Sequence, residues 1–549
     1  MNFKKTIDSA KLNHKKEGHI MAEQQQREEW GSKIGLILAM AGNAVGLGNF
    51  WRFPYQAAKN GGGAFMIPYF GALILLGLPL MLCEWQLGRY GGKYGHGTLG
   101  PMVYLQAREG INPKSAAIIG SIAGAFAFAV TLLVNSYYNH LIGWTLGYAV
   151  MSMTGGYMDT AKATGDIFVG YIQNPAQVFT FWVIALAGLA WAVMRGVQEG
   201  IEAWAKLMMP VLYVFGIILA IRALTLGAPV NPDWSALKGL NFVWNPDFST
   251  LNWTSALAAA GQIFFTLSIG MGIVCNYASY LKPEDDVVVS SVAMISLNEF
   301  AEIVLGGSIV IPIAYSFLGP DGISAGVGLS FIALPNVFRA MPAGQVFGSL
   351  WFFLLFFAGF TSAIAMYNYL VALLEEDLGV ERKKGALYIF FAYIIVGLPV
   401  GLEPILTKTA DLAYFTEIDN WVGSYLLIVL GLIEVLVVAF FMKEKALTEI
   451  NKGALWKVPN WFYNLFIRGL TPLTLAIVLF FSTKTYMEAG YFKLVPSFVA
   501  ESPALVPWVQ AARVVMLAVV IIGFMQSYRS IKTKYGKELE SGKVSVYVD

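Results

Sequence analysis

Two short glycine-bracketed stretches hold the residues best placed to do chemistry. Ala44-Val45-Gly46-Leu47-Gly48 and Ser268-Ile269-Gly270-Met271-Gly272 each run small, β-branched, Gly, long apolar, Gly. Each lies midway along a long apolar segment. A glycine costs a helix interior about 1 kcal/mol relative to alanine, so two together favour an unwound turn. Unwound backbone is tolerated in an apolar medium only where it lines a cavity or binds something. Freed N–H groups suit an anion, and freed carbonyls suit a hard cation such as Na⁺. Neutral oxygens recur nearby: Asn49, Thr266 and Asn298 within apolar segments, and the small-polar group Ala358, Thr361 and Ser362. Such dipoles can replace the water shell of Na⁺. Glu302 lies four residues after Asn298, on the same helical face, and an intramembrane carboxylate is a functional candidate by default. Tyr138 sits mid-segment beside Tyr137. Gly46-Leu47-Gly48 is not a dinucleotide loop, because no third glycine follows in a strand-to-helix setting.

The elements that must position these residues follow from composition. Of 549 residues, 57% are hydrophobic and only 13% are charged, about half the charge a water-facing surface carries; mean hydropathy is +0.60. Disorder, a collagen-like chain and a disulfide scaffold are excluded. A net charge of +2 without a basic block excludes a nucleic-acid footprint. Cys83 and Cys275 lie in apolar runs, which argues against an extracellular disulfide or a zinc site. The chain reads as an all-α integral membrane protein. A spanning helix needs about 20 apolar residues, and such helices fall near 34–56, 63–89, 115–153, 177–195, 197–225, 253–281, 286–318, 346–378, 384–402, 415–442, 468–488 and 508–530. The two glycine motifs open two five-helix sets, and an odd number of helices inverts the second copy. The expected organisation is a cytoplasmic segment 1–33, a first repeat 34–225, an extracellular loop 226–252, a second repeat 253–442, two further spans within 443–530 and a cytoplasmic tail 531–549. Met21 opens a stretch that reads like a natural start, so 1–20 is expected to be either a dispensable extension or a misplaced initiation, and no signal peptide is expected before the first span.

Lysine and arginine bias orients the chain. Lys33, Arg89, Lys93, Arg108, Lys114, Arg382, Lys383, Lys384, Lys443, Lys445 and the basic tail fall on one side. The alternate loops hold little beyond Lys59, Lys162, Lys238, Arg339, Lys408 and Lys493. Both termini are expected in the cytoplasm.

The stretch from Gly42 to Pro54, GNAVGLGNFWRFP, followed by NGGGAF at 60–65, resembles the signature of the neurotransmitter:sodium symporters, in particular their bacterial amino-acid members. The resemblance implies a 5+5 inverted-repeat core of the leucine-transporter type, with broken helices 1 and 6 and two extra helices. It implies one sodium held by Ala44, Asn49, Thr266 and Asn298. A second would be held by Gly42, Val45, Ala358, Thr361 and Ser362. The substrate pocket it implies is Ala44, Gly46, Leu47, Gly48, Val134, Tyr138, Phe265, Thr266, Ser268, Met271, Ser362 and Met366. Glycine at 46, where amine-carrying members have aspartate, leaves room for a substrate that brings its own carboxylate. Methionine at 271 and 366, where the leucine transporter has Phe and Ile, suggests an adaptable apolar pocket for larger aliphatic or aromatic side chains. Glu302 stands where chloride-dependent members have serine, so no chloride requirement is expected. Arg52 and Asp419 match the extracellular gate. Arg27, Trp30, Tyr280 and Glu376 match the cytoplasmic gate, with Glu376 in the place of a shorter Asp.

The expected activity is import of an amino acid coupled to Na⁺ by alternating access, in a bacterial inner membrane. A channel would need a continuous polar lining. An enzyme would need a nucleophile–base or metal constellation, and neither pattern is present. A sensor that binds an amino acid without moving it is the remaining alternative, as is a symporter for another small zwitterion. His140, Glu84 and Glu434 are expected to serve structural hydrogen bonding.

Overall fold

The computed structural model describes residues 28–319 and 328–544. Arg27 therefore lies outside the described residues. Ten helices are long and apolar enough to cross a bilayer. They are span 2 (Gly63–Lys93), span 3 (Pro113–Thr154), span 4 (Pro175–Met194), span 5 (Val197–Leu224), span 7 (Val287–Leu318), span 8 (Gly344–Leu378), span 9 (Arg382–Thr407), span 10 (Ala413–Met442), span 11 (Asn460–Glu488) and span 12 (Pro503–Ser541). Span 1 is a bent pair, Lys33–Ala44 and Gly48–Lys59, with 47° between its halves. Span 6 is two pieces, Trp253–Leu267 and Ile273–Ala278. Among the described residues no β-strand forms; Gly62 and Pro246 make one isolated bridge. The expected all-helical class of twelve spans stands.

Interior and rim are separated by their sequences. The most apolar window of span 7 is 78% buried, against 28% in spans 11 and 12. The outer spans expose Leu207, Ile221, Ile395, Leu473, Phe480 and Leu517. An apolar girdle of that size marks a lipid-facing surface. Spans 4 and 5 divide at Gly196, which takes φ +83°, a conformation cheap only for glycine.

Span 12 runs eleven residues past its expected end at 530. Its polar extension is held by an ion pair that hydropathy cannot register. Arg108, in the loop between spans 2 and 3, places Nη1 2.8 and 2.7 Å from the Glu538 oxygens. Both side chains are almost fully buried.

Candidate functional site

The two breaks use different backbone chemistry. Span 1 stops where Val45 turns extended, at φ −73° and ψ 97°. The Gly46 N–H then donates to Asn49 Oδ1 at 2.7 Å, which ties the unwound turn to the start of the second half-helix. In span 6 three residues adopt positive φ: Ser268 at 55°, Gly270 at 69° and Gly272 at 76°. A non-glycine residue held there costs of order 1–3 kcal/mol, and the Ser268 hydroxyl offers a compensating bond to the Asn43 carbonyl at 3.0 Å. That bond joins the two breaks to each other. The freed Gly270 N–H donates to Glu84 Oε1 of span 2 at 2.6 Å.

A buried polar cluster lies just past the first break along the chain. Asn49 Nδ2 donates to Thr266 Oγ1 (3.1 Å), Asn298 Oδ1 (2.8 Å) and Glu302 Oε2 (2.9 Å). Thr266 also hydrogen-bonds Glu302. Gln262 Nε2 and the Tyr69 hydroxyl donate to Glu302 Oε1 at 2.9 and 3.0 Å. Tyr69 also reaches Glu299 Oε2 at 2.8 Å, and Asn298 Nδ2 reaches Glu299 Oε1 at 3.2 Å. The sequence reading missed Glu299. The signal that finds Glu302, a carboxylate within an apolar span, applies to it equally.

A second group of oxygens lies across span 1. Ser362 Oγ is 3.1 Å from the Gly42 carbonyl, 2.9 Å from that of Asn43 and 3.4 Å from that of Val45. Thr361 Oγ1 is 3.2 Å from the Ala358 carbonyl, one turn back along span 8. These are hard, neutral oxygens in a buried setting, the donor set a monovalent alkali cation takes when its water is removed.

Between the two groups is a small cavity, lined by Ala44, Gly46, Gly48, Val134, Tyr138 and Phe265, and from the other side by Thr266, Ser268, Met271, Ile273, Ser362 and Met366. Leu47 contributes backbone: its N–H donates to the Tyr138 hydroxyl at 2.9 Å. Ile273 was not among the expected lining residues. It becomes a lining residue because Gly272, at positive φ, swings the first turn of the second half-helix toward the cavity.

Beyond the break along span 1, Arg52 lies with its guanidinium 4.5 Å from the centre of the Phe265 ring, and its Nη1 is 3.4 Å from the Gly261 carbonyl. Asp419 accepts from the Tyr137 hydroxyl at 2.6 Å. Among the described residues no direct ion pair joins Arg52 to Asp419.

At the opposite end of the site, before span 1, Trp30 Nε1 donates to the Tyr277 carbonyl at 3.1 Å, and its ring meets those of Tyr277 and Tyr280 edge-on. Tyr280 accepts from Asn368 Nδ2 at 3.3 Å. Glu376 accepts the Gly97 N–H. Arg382, read from sequence only as a basic loop residue, reaches Asn368 Oδ1 at 2.5 Å, Glu375 at 3.3 Å and Glu28 at 3.9 Å. It gathers three elements beneath the site. His140 Nε2 contacts the Gly397 carbonyl at 2.9 Å while the ring stacks on Trp182.

Two broken helices that are hydrogen-bonded to each other at their breaks and line one buried cavity flanked by oxygen clusters define a membrane transporter rather than an enzyme or a pore. The family model for the Sodium:neurotransmitter symporter family matches residues 27–161 and 167–533. A sodium-dependent transporter of Methanocaldococcus jannaschii is 31% identical over 526 residues, covering 92% of this chain and 99% of its own. The sodium-dependent transporter YhdH of Bacillus subtilis is 33% identical over 464 residues, 83% of this chain and 97% of its own. The crystal structure of MhsT in complex with L-phenylalanine superposes with a TM-score of 0.72 at 31% identity, over 83% of this chain and 99% of that one. The chain belongs to the sodium:neurotransmitter symporter family and is a sodium-dependent membrane transporter with the leucine-transporter fold.

Proposed function

We propose that this transporter imports an amino acid with an apolar or aromatic side chain, driven by two sodium ions and without chloride. The observation that carries the reading is the unwound turn at Gly46. A Cβ built there would stand 2.7 Å from the Tyr138 hydroxyl and 2.8 Å from Ser362 Oγ, so only glycine leaves this corner of the cavity open. The space suits a substrate carboxylate, with the Tyr138 hydroxyl and the Leu47 and Gly48 N–H groups as donors. The ammonium group has the Ala44, Phe265 and Thr266 carbonyls and the Ser268 hydroxyl within the same lining. Val134, Met271, Ile273 and Met366 leave an apolar space for the side chain, and the phenylalanine bound by MhsT supports an aromatic substrate.

In this reading Ala44, Asn49, Thr266 and Asn298 hold one sodium, completed by the substrate carboxylate. Gly42, Val45, Ala358, Thr361 and Ser362 hold the other. Glu302 supplies the negative charge that chloride would otherwise supply. Arg52 with Asp419 closes the outer path, and Trp30, Tyr280, Arg27 and Glu376 close the inner one. The membrane is a bacterial inner membrane with both termini in the cytoplasm. Each charge crossing 100 mV contributes about 2.3 kcal/mol, so two sodium ions drive about a thousandfold accumulation of a zwitterion.

The test is uptake of a labelled amino-acid panel into proteoliposomes with an inward sodium gradient, an inward potassium gradient, or neither. Sodium-driven accumulation of phenylalanine, tryptophan or a large aliphatic amino acid is the expected result. Accumulation unaffected by replacing sodium with potassium would overturn the coupling. Sodium-dependent binding without accumulation would make the protein a sensor.

A further inference from the structure

Span 10 opens with a short segment, Ala413–Asn420, that carries two acids on opposite sides. Asp419 faces span 3, where it accepts from the Tyr137 hydroxyl at 2.6 Å. Gly423, one turn on, keeps that side clear: a Cβ there would stand 2.5 Å from Asp419 Oδ1 and 2.7 Å from the Tyr137 hydroxyl. Glu417, two residues before Asp419, lies about 200° away around an α-helix and faces span 12. Its side chain is fully buried and accepts from Arg513 Nε at 2.6 Å and from Trp421 Nε1 at 3.0 Å. Arg513 is itself held from behind. Its Nη1 donates to the Lys493 and Leu494 carbonyls at 2.6 and 3.3 Å, and its Nη2 to that of Tyr491 at 2.7 Å. These three carbonyls belong to the loop between spans 11 and 12. Tyr486 of span 11 adds a hydroxyl donated to the Asn420 carbonyl at 2.8 Å, and the Trp421 ring meets those of Tyr486 and Phe492 edge-on.

We propose that Arg513 is a positioning residue for the gate acid Asp419, acting through Glu417. A guanidinium presents its donors in a rigid fork, and here the fork is divided between one buried carboxylate and the carbonyls of a loop. Breaking a buried charge pair is costly, so the turn of the segment about its own axis is set from the span 12 side. That turn is what aims Asp419, because both acids ride on one helical segment. The inference rests on the reading of Asp419 as half of the outer gate with Arg52. It gives spans 11 and 12, the two helices added to the 5+5 core, a part in transport: they anchor the gate segment from behind. With the anchor in place Asp419 stays at Tyr137 and bound substrate is retained. Without it the segment turns and the closed gate loses population.

The test uses the full-length purified protein and follows release of labelled phenylalanine on dilution into unlabelled phenylalanine, with sodium held constant. Arg513→Gln and Glu417→Gln should each speed release about tenfold. Combined, they should go no further than either alone, because they cut one link. Asp419→Asn should speed release by a similar factor, and adding Arg513→Gln to it should contribute less than about twofold. That lack of additivity marks positioning: a pair that only stabilised the fold would lower the thermal unfolding midpoint and leave release unchanged. Unfolding midpoints verify that each variant is folded, and Glu417→Gln carries the same comparison if Arg513→Gln is not. Unchanged release in Arg513→Gln and Glu417→Gln, or their full factor retained beside Asp419→Asn, would overturn the positioning role and leave Asp419 as the gate acid. Unchanged release in Asp419→Asn would instead remove the gate reading and the positioning role with it.

Discussion

Asn49 and Glu302, 253 positions apart in the chain, meet across 2.9 Å in the interior. One sits at the break of span 1 and the other on span 7, so the first broken helix is tied directly to a buried carboxyl group. Gln262 and Tyr69 hold the opposite carboxylate oxygen at 2.9 and 3.0 Å, which fixes the group in place.

That carboxyl group, proposed above to stand in for chloride, leads to the first expectation. Uptake by the unaltered protein should be indifferent to replacing chloride with gluconate. Glu302→Ser removes the charge and leaves a small hydroxyl among the same donors. The variant should transport at near its original rate only when chloride is supplied. Initial uptake rates across a chloride titration check this, and a variant equally active without chloride would assign the charge to Glu299 or to neither residue.

The two oxygen groups make separable predictions about sodium. Hydrogen bonds and contacts to a charged partner are worth about 1.5–3 kcal/mol, or about ten- to a hundredfold in affinity. Asn49→Ala and Thr361→Ala should each raise the sodium concentration for half-maximal uptake by about that factor. Asn49→Ala also opens the cluster around Glu302, so its effect should be larger at low chloride. Thr361→Ala touches only the second group and should not acquire chloride sensitivity.

How far the sequence anticipated this arrangement depends on the type of signal. The paired glycine motifs place both breaks, because an unwound turn leaves a local composition that length and periodicity expose. Asn49, Thr266, Asn298 and Glu302 stand out as polar residues in apolar runs. Ile273 carries no such mark. It is one more aliphatic residue in a span, and only the positive φ of Gly272 turns it toward the cavity. Arg382 is likewise indistinguishable in sequence from Lys383 and Lys384. Its contacts with Asn368, Glu375 and Glu28 are made by the packing of spans 8 and 9 against the segment before span 1.

The extension of span 12 predicts a loss of stability without a loss of ion affinity. Glu538 receives Arg108 through two hydrogen bonds and Tyr104 through a third at 2.8 Å. Removing one charge of a buried pair typically costs about 3–5 kcal/mol. Glu538→Gln should lower the thermal unfolding midpoint in detergent by several degrees and leave the sodium dependence of uptake unchanged. A shifted sodium dependence would mean that the C-terminal helix acts on the transport site itself.

Gly46 gives the sharpest test of the pocket, because a single methyl group there strikes both halves of the site at once. Real Cβ atoms do not approach other heavy atoms to 2.7 or 2.8 Å, so in Gly46→Ala either Tyr138 or Ser362 must move. Tyr138 is held by the Leu47 N–H at 2.9 Å, and Ser362 by the Gly42 and Asn43 carbonyls at 3.1 and 2.9 Å. If Tyr138 yields, the substrate loses its carboxylate donor; if Ser362 yields, the second sodium loses a ligand. Gly46→Ala should therefore weaken substrate binding by about tenfold or more. Tyr138→Phe, which removes the hydroxyl that the methyl would strike, should match its substrate defect while leaving the sodium titration intact. Scintillation-proximity binding of labelled substrate, with sodium varied at fixed substrate, separates the two routes. If Gly46→Ala bound substrate as the unaltered protein does, the carboxylate would have to sit elsewhere in the cavity, and the substrate assignment built on that corner would fall with it.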